Sequence, residues 1–314
     1  MKTLLQAIIF LASGKLLFAI QDVIIKEMSS AYPVTQIVTI RGLVAVPILL
    51  LLIHFSIKLP ALLRHHPGIH IIRGFLMFTA FILFYVALSE MSLTTATALF
   101  FTAPFFITLL ARPMLGESFG LRRVIAMAVG FSGVLLVLRP DQDDFSLFSL
   151  LPIASAFFYA FCQLLVRYAR LTAPASIMSL YASLAFIVLG PLTAVFFSSE
   201  NPPQDMLGSQ ALQALWSWPN SADLLLLTLT GITSAFGFMC SSKAYQHDEA
   251  SRVAPFEYVM IIWVSLLSYL VWSEIPDPFT IIGIIIIIGS GIYVLQRENV
   301  KEPKPIAYTG LSRR

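Results

Sequence analysis

Long apolar runs, separated by short polar linkers, dominate the sequence. A helical run of about 20 apolar residues spans the hydrocarbon core of a bilayer. Ten runs approach or reach this length, and they cover residues 4–25, 34–55, 69–88, 94–114, 121–138, 147–168, 175–197, 222–239, 254–272 and 279–295. The pattern therefore predicts an all-α membrane protein with ten transmembrane helices.

Composition agrees with this prediction. Of the 314 residues, 58% are hydrophobic and 12% are charged, whereas a soluble domain carries about 25% charged residues. No spacing typical of a nucleotide loop, a metal site or a catalytic motif is present. We therefore expect no enzymatic activity, no cofactor, no metal and no nucleic-acid partner. The expected partners are a small-molecule substrate and the lipid bilayer, and a homodimer is left open.

Basic residues are distributed unevenly between alternate linkers. With the N-terminus inside, the inner segments hold 15 of the 20 lysines and arginines, and the outer linkers hold only Lys26 and Arg139. Cytoplasmic loops carry the excess of positive charge in membrane proteins. We therefore expect both termini to be cytoplasmic, in a multi-pass protein of the cell inner membrane.

The chain also repeats itself. A shift of 157 residues places Gly74 over Gly231, and a shift of 141 residues aligns the N-terminal part. Further matched pairs are Phe18 with Tyr159, Asp22 with Gln163, Lys26 with Arg167, and Phe81 with Phe238. Each half holds five predicted spans, and an odd number of spans inverts the second half in the membrane. Inverted repeats are typical of secondary transporters, which bind substrate between the halves.

Two segments carry a family resemblance. Residues 96–140, ATALFFTAPFFITLLARPMLGESFGLRRVIAMAVGFSGVLLVLRP, resemble the end of the first EamA repeat of the drug/metabolite transporter superfamily. Residues 250–295 resemble the end of the second. The resemblance implies EamA-like repeats at 1–140 and 141–297, a cytoplasmic tail at 298–314, and a central cavity lined in part by spans 3, 4, 8 and 9.

Four ionisable residues lie inside predicted spans: Lys15, Asp22, Arg41 and Glu257. Such residues are costly in a membrane, and they mark functional sites by default. None has a charged counterpart in the other half of the repeat, so we interpret the set as a substrate site. For Asp22 a structural salt bridge with Arg41 is favoured over binding of a substrate amine or a proton.

Lys15 and Glu257 form the predicted charge pair of this site. Lys15 would bind a carboxylate or phosphate of the substrate, and Glu257 would bind the substrate or a proton. Pro255 and Pro104 are expected to kink spans 9 and 4, because proline removes a backbone donor. The alternatives are helix shape for the prolines and a local polar pocket for Lys15.

Polar and aromatic neighbours complete the predicted site. Gln163 is expected to bind the solute or another helix, and Arg73 is expected to reach toward the inner membrane surface. Aromatic rings near the membrane midplane can stack on a planar ring or hold a quaternary amine. The predicted aromatic contacts are Phe18, Tyr85, Tyr159 and Tyr258, with Asp22, Arg41 and Glu257 as candidates for proton coupling or an ion pair.

The sequence thus favours a secondary transporter that moves a small polar or zwitterionic metabolite, amino acid-like or nucleobase-like, by alternating access. One alternative is a flippase for lipids or lipid-linked sugars, which would need a lateral opening and little contribution from Lys15. Another is a scaffold subunit that transports nothing.

Overall fold

Helices account for most of the residues that the structure describes, and turns or short irregular segments connect them. The computed structural model describes residues 2–56, 67–91, 93–117, 120–138, 147–170, 173–197, 212 and 216–273, with 278–279, 281–283, 285–286, 289–290 and 293. No strand occurs in these ranges. The predicted tail at 298–314 lies outside them, and the tenth predicted span is described only in part.

Apolar helices of membrane-spanning length account for most of the described chain. The helices are α1 (Lys2–Met28), α2 (Val34–Ser56), α3 (Pro67–Glu90), α4 (Leu93–Phe100), α5 (Ala103–Leu115), α6 (Leu121–Leu138), α7 (Leu150–Tyr168), α8 (Ala175–Phe197), α9 (Ser221–His247), α10 (Ala250–Val253) and α11 (Val259–Trp272). Seven candidate spans are found in the described residues, with α10 and α11 counted as one, and shorter apolar helices accompany them. The all-α membrane fold is therefore confirmed.

Two predicted spans are interrupted. The predicted span 94–114 consists of α4 and α5, separated by a turn at Phe101 and Thr102. The predicted span 254–272 begins with a 3₁₀ helix, Ala254–Tyr258, which joins α10 to α11. Kinks were expected in these spans at Pro104 and Pro255, and both interruptions lie beside these prolines. Pro104 lies in the first turn of α5 and Pro255 in the first turn of the 3₁₀ helix, where proline needs no backbone partner.

Helix pairing follows the repeat. Helix α1 packs along α9, and the equivalent pair α7 and α3 packs in the same way. Helix α2 packs on α8, its own counterpart. Gly74 and Gly231 permit two of the equivalent contacts: a Cβ atom would lie 2.9 Å from the Tyr181 carbonyl oxygen at Gly74 and 2.9 Å from the Arg41 carbonyl oxygen at Gly231. Small residues allow this close approach of helices.

Glu117 fixes the start of α10. Gly116 ends α5 in the left-handed conformation, with φ of 67°. The buried Glu117 carboxylate then accepts hydrogen bonds of 3.0 Å from the backbone N–H groups of Ala250 and Ser251. A carboxylate is stabilised at the N-terminus of a helix. This contact anchors the segment that carries Glu257 seven residues later.

Candidate functional site

A buried ion pair joins α1 to the 3₁₀ helix. Lys15 and Glu257 are 3% and 2% exposed, and their charged groups are in direct contact. The Tyr159 hydroxyl accepts a hydrogen bond from Lys15 Nζ (3.2 Å) and donates to Glu257 Oε1 (3.1 Å). Tyr245 donates a hydrogen bond of 2.6 Å to Glu257 Oε1. The four side chains, here called the central cluster, compensate one another's burial.

The local backbone explains how Glu257 reaches this position. Pro255 lies in the first turn of the 3₁₀ helix that carries Glu257. A 3₁₀ helix turns every three residues instead of 3.6, so it rotates its side chains differently from the α-helix that follows. Residues Pro255, Glu257 and Tyr258 are all buried. Interrupted helices of this kind are a feature of binding sites in transporters.

A cavity lies directly beside the central cluster. Its empty volume is about 440 Å³, counted with the open space at its mouth. Phe18, Phe81, Phe84, Phe100 and Met260 supply most of its apolar wall. Lys15, Asp22, Thr97, Ser155 and Tyr159 supply its polar groups. A mainly apolar wall with a few polar groups is the usual composition of a small-molecule site.

Lys15 and Asp22, the charged residues of α1 that line the cavity, occupy different ends of this wall. Lys15 and Asp22 are seven residues apart, which corresponds to roughly 10 Å along a helix. Phe18 lies between them and packs on Phe81 and Phe238, with ring centroids 5.9 and 5.4 Å away. The Lys15 ammonium group also lies 4.8 Å from the centre of the Tyr159 ring. The cavity therefore offers a cation, an aromatic surface and a carboxylate in sequence.

Asp22 belongs to a second polar cluster. The Tyr85 hydroxyl donates to Asp22 Oδ1 at 3.3 Å and accepts a hydrogen bond of 3.0 Å from Arg41 Nη1. Gln21, in the amide orientation that satisfies both of its polar atoms, accepts from Arg41 and donates to the Thr230 carbonyl. These four side chains, Gln21, Asp22, Arg41 and Tyr85, form the Asp22 cluster. The expected direct salt bridge between Asp22 and Arg41 is thus replaced by a bridge through Tyr85.

Arg41 is enclosed by aromatic rings. Its side chain is fully buried, and its guanidinium carbon lies 3.9 Å from the centre of the Phe186 ring and 4.7 Å from that of Phe81. Cation–π contacts stabilise a desolvated arginine. Because Phe81 separates Arg41 from the cavity, Arg41 supports the wall instead of lining it.

Four predicted site residues do not line the cavity. Glu257 contacts the lining residues Lys15 and Tyr159. Tyr85 touches the lining through its hydrogen bond to Asp22 and its ring contact with Phe81. Gln163 is buried and donates a hydrogen bond of 3.3 Å to Ser241 Oγ. Tyr258 faces away from the central cluster and packs on Phe101, with ring centroids 5.6 Å apart. Neighbouring positions on a short helix point in different directions, so the adjacency of Tyr258 to Glu257 misled the prediction.

The sequence analysis also missed three residues of the site and placed Arg73 wrongly. Tyr245 was not predicted, because the predicted span 222–239 ends before it, whereas α9 continues to His247. Thr97 and Ser155 line the cavity, and nothing in their local sequence distinguishes them. Arg73 is 1% exposed, with hydrogen bonds to Met178 and Ser242. The expectation that Arg73 extends toward the membrane surface was therefore wrong.

Within the described residues, the site has the character of a binding site. No group of three His, Cys, Asp or Glu side chains there is placed to hold a metal ion. A cavity between paired helices, with balanced charges and aromatic walls, is suited to bind a solute.

Comparison with known proteins decides the family. The model of the EamA-like transporter family matches residues 5–139 and 146–296. The chain belongs to this family. A crystal structure of another protein has the same fold, with a TM-score of 0.73, 16% sequence identity, and coverage of 94% of this chain and 99% of the other.

Curated relatives of this EamA-like protein are named as transporters. An S-adenosylmethionine uptake transporter of Rickettsia prowazekii is 25% identical over 299 residues, which cover 95% of each chain. A riboflavin transporter of Vibrio cholerae is 28% identical over 301 residues, again 95% of each chain. The protein is therefore a multi-span membrane protein of a transporter family and not an enzyme.

Proposed function

We propose that this EamA-like protein is a secondary transporter for a small zwitterionic or nucleobase-like metabolite. The observation that carries the proposal is the order of groups along the cavity wall. Lys15 offers a cation at one end, Asp22 offers a carboxylate at the other, and aromatic rings lie between them. A solute with an acidic group, a planar or apolar middle and a donor group matches this order.

The relatives support the same class of solute. S-adenosylmethionine combines a purine ring with an amino acid group, and riboflavin combines a planar ring system with a polar chain. Both therefore join a flat ring to a polar part, which suits a wall of aromatic side chains with charged ends. Identities of 25% and 28% support the class and leave the particular solute open.

The proposed architecture has ten spans in two inverted halves. The protein would lie in the cell inner membrane, with both termini in the cytoplasm. The equivalent packing of α1 on α9 and of α7 on α3 supports the repeat. In this arrangement the cavity lies toward the outer side, because Asp22 follows Lys15 along α1. Alternating access would then close this side and open the other around the central cluster.

The central cluster supplies the proposed exchange step. An acidic group of the solute that approaches Lys15 competes with Glu257 for the same cation. A buried carboxylate that loses its cation is costly unless it binds a proton. Glu257, with Asp22 nearer the cavity mouth, is therefore the proposed site of proton coupling.

A flux measurement tests the proposal. The purified protein is placed in liposomes, and uptake of radiolabelled S-adenosylmethionine, riboflavin, tryptophan and adenine is compared with uptake by protein-free liposomes. Removing one partner of a buried ion pair costs about 3–5 kcal/mol, so the double variant Lys15→Gln, Glu257→Gln is used. It should remain folded and lose most of the uptake of whichever solute passes.

Lys243→Gln provides the matched control. Lys243 stands over the Phe10 ring at 5.2 Å and takes no part in the central cluster, so uptake should stay within about twofold of the unaltered protein. A folded double variant that transports as well as the unaltered protein would show that the central cluster is not the solute site.

A further inference from the structure

Arg73 is buried like Lys15 and Arg41, and it has an unused donor. On α3, its Nη1 donates to the Met178 carbonyl at 2.5 Å and its Nη2 to Ser242 Oγ at 3.2 Å. Its Nε has no hydrogen-bond partner, and no acidic side chain pairs with it among the described residues. A buried guanidinium normally forms charge-assisted hydrogen bonds to a carboxylate or phosphate. Arg73 is thus prepared for an anion that the described chain does not supply.

Gln163 lies nearby with an unused acceptor. It is 1% exposed, and its Oε1 has no hydrogen-bond partner, while its Nε2 donates to Ser241 Oγ. Ser155, Tyr159 and Gln163 follow one another at intervals of four residues on one face of α7. The first two line the cavity, so Gln163 continues the same line one turn beyond it. We call Arg73, Gln163, Ser241 and Ser242 the Arg73 cluster.

The central cluster separates the Arg73 cluster from the cavity. Tyr159 contacts Lys15 and Glu257 on one side. On its other side Tyr159 interacts with Ser241 and lies within electrostatic range of Arg73. A solute that passes the Lys15–Glu257 pair would therefore meet the Arg73 cluster next.

The repeat relates the Asp22 cluster to the Arg73 cluster. The shifts of 141 and 157 residues that align the halves match Gln163 with Asp22, Ser242 with Tyr85, and Arg73 with Thr230. The Asp22 cluster borders the cavity in this structure, whereas its counterpart is closed. An exchange of conformation between the two halves would open the Arg73 cluster and close the Asp22 cluster.

We propose that the Arg73 cluster is a second binding position, which takes an acidic group of the solute when the cavity opens toward the cytoplasm. The inference rests on the proposed transport function. The charges favour an anion, because the Asp22 cluster contains a carboxylate and the Arg73 cluster has a neutral amide at the matching place. The serine hydroxyls can donate further hydrogen bonds to the acidic group, and the Arg73 Nε supplies the free charged donor. The free Gln163 Oε1 can accept a hydrogen bond from a donor group of the same solute.

Charge-selective thiol reagents test access and charge without knowledge of the solute. Gln163→Cys is made in a chain whose natural cysteines, Cys162 and Cys240, are replaced by alanine. Inside-out membrane vesicles are treated with an anionic sulfonatoethyl or a cationic trimethylammonium-ethyl methanethiosulfonate. Each rate is divided by the rate of that reagent with a free thiol in solution.

The introduced cysteine should react from the cytoplasmic face and prefer the anionic reagent on the order of tenfold, as expected for one nearby, partly buried cation. Adding Arg73→Gln should abolish this preference, and Arg73→Lys should retain it. Ala160→Cys is the matched control, since Ala160 is equally buried on α7 but off the Ser155–Gln163 line, and it should not react.

Two results would overturn the proposal: a Gln163→Cys variant that does not react, or one that reacts equally with both reagents while Arg73 is present. The second result needs no Arg73 variant, so misfolding of Arg73→Gln does not weaken the test.

Uptake by the cysteine-free parent is measured in the liposome assay. Uptake without the expected reactivity contradicts this inference alone, whereas absence of uptake contradicts the proposed function.

Discussion

At the scale of single residues, the site depends on how buried charges are compensated. Lys15 and Glu257 neutralise each other, and tyrosine hydroxyls satisfy the remaining atoms of the carboxylate. Arg41 is stabilised by aromatic rings and by the Tyr85 hydroxyl. Lys15 lines the cavity, whereas Arg41 lies behind its wall. Burial of charge therefore marks the site, and only the contacts show which charge a solute can reach.

Tyr245→Phe should weaken transport while leaving the fold intact. The variant removes the 2.6 Å hydrogen bond to Glu257, and a hydrogen bond to a charged group contributes about 1.5–3 kcal/mol. We expect the transport efficiency for a solute accepted in the liposome assay to fall on the order of tenfold. Tyr269→Phe is the control, because Tyr269 is 49% exposed on α11. Equal transport by the two variants would show that Tyr245 does not position Glu257.

At the scale of helices, interruptions and close contacts shape the cavity. The turn between α4 and α5 and the 3₁₀ helix before α11 occupy related places in the two halves. Pro104 follows the turn, and Pro255 lies within the 3₁₀ helix, which also carries Glu257 into the central cluster. Gly74 and Gly231 bring backbones of other helices close together, so the rigid contacts lie away from the interrupted segments.

Gly231→Ala should destabilise the protein. A Cβ atom there would lie 2.9 Å from the Arg41 carbonyl oxygen and would collide with the Val44 side chain. Overpacking of this kind costs about 1–3 kcal/mol, so the midpoint of thermal unfolding in detergent should fall. Gly68→Ala should leave the midpoint unchanged, because no atom lies within 4 Å of the added Cβ. A Gly231→Ala midpoint equal to that of Gly68→Ala would indicate that α2 and α9 separate at no cost.

At the scale of the whole molecule, the two halves share a plan and differ in charge. Lys26 donates to the Leu88 and Met91 carbonyls at the C-terminal end of α3, and its counterpart Arg167 donates to the Gln246 carbonyl near the end of α9. Both basic groups are stabilised by the helix C-terminus. The Asp22 cluster and the Arg73 cluster share positions but not charge. In the proposed mechanism, the shared architecture permits two conformations, and the unequal charge makes them bind a solute differently.

Reporter fusions test the proposed topology. An even number of spans places both termini on one side, and the excess of inner positive charge places them in the cytoplasm. A fluorescent protein fused to either terminus should be fluorescent, and an alkaline phosphatase fused to the C-terminus should be inactive. Active phosphatase would contradict the ten-span arrangement, since it requires a periplasmic C-terminus.

The sequence by itself determined the class of molecule. Apolar runs of membrane-spanning length must form helices, because a helix satisfies the hydrogen bonds of its own backbone. The charges of Lys15, Asp22 and Glu257 within such runs could be recognised as exceptional without a structure. Matching of Asp22 with Gln163 also came from the sequence alone. These features depend on neighbouring residues or on a regular spacing along the chain, so the sequence alone is enough to find them.

Only the tertiary structure decided which groups meet. Tyr245 reaches Glu257, Tyr85 bridges Asp22 and Arg41, and Tyr258 faces elsewhere. Helix rotation, the 3₁₀ segment and glycine contacts fix these directions, and each depends on the packing of residues far apart in the chain. The direction of a buried side chain is set by its neighbours in space, which is why the sequence identified the charges and the structure identified their partners.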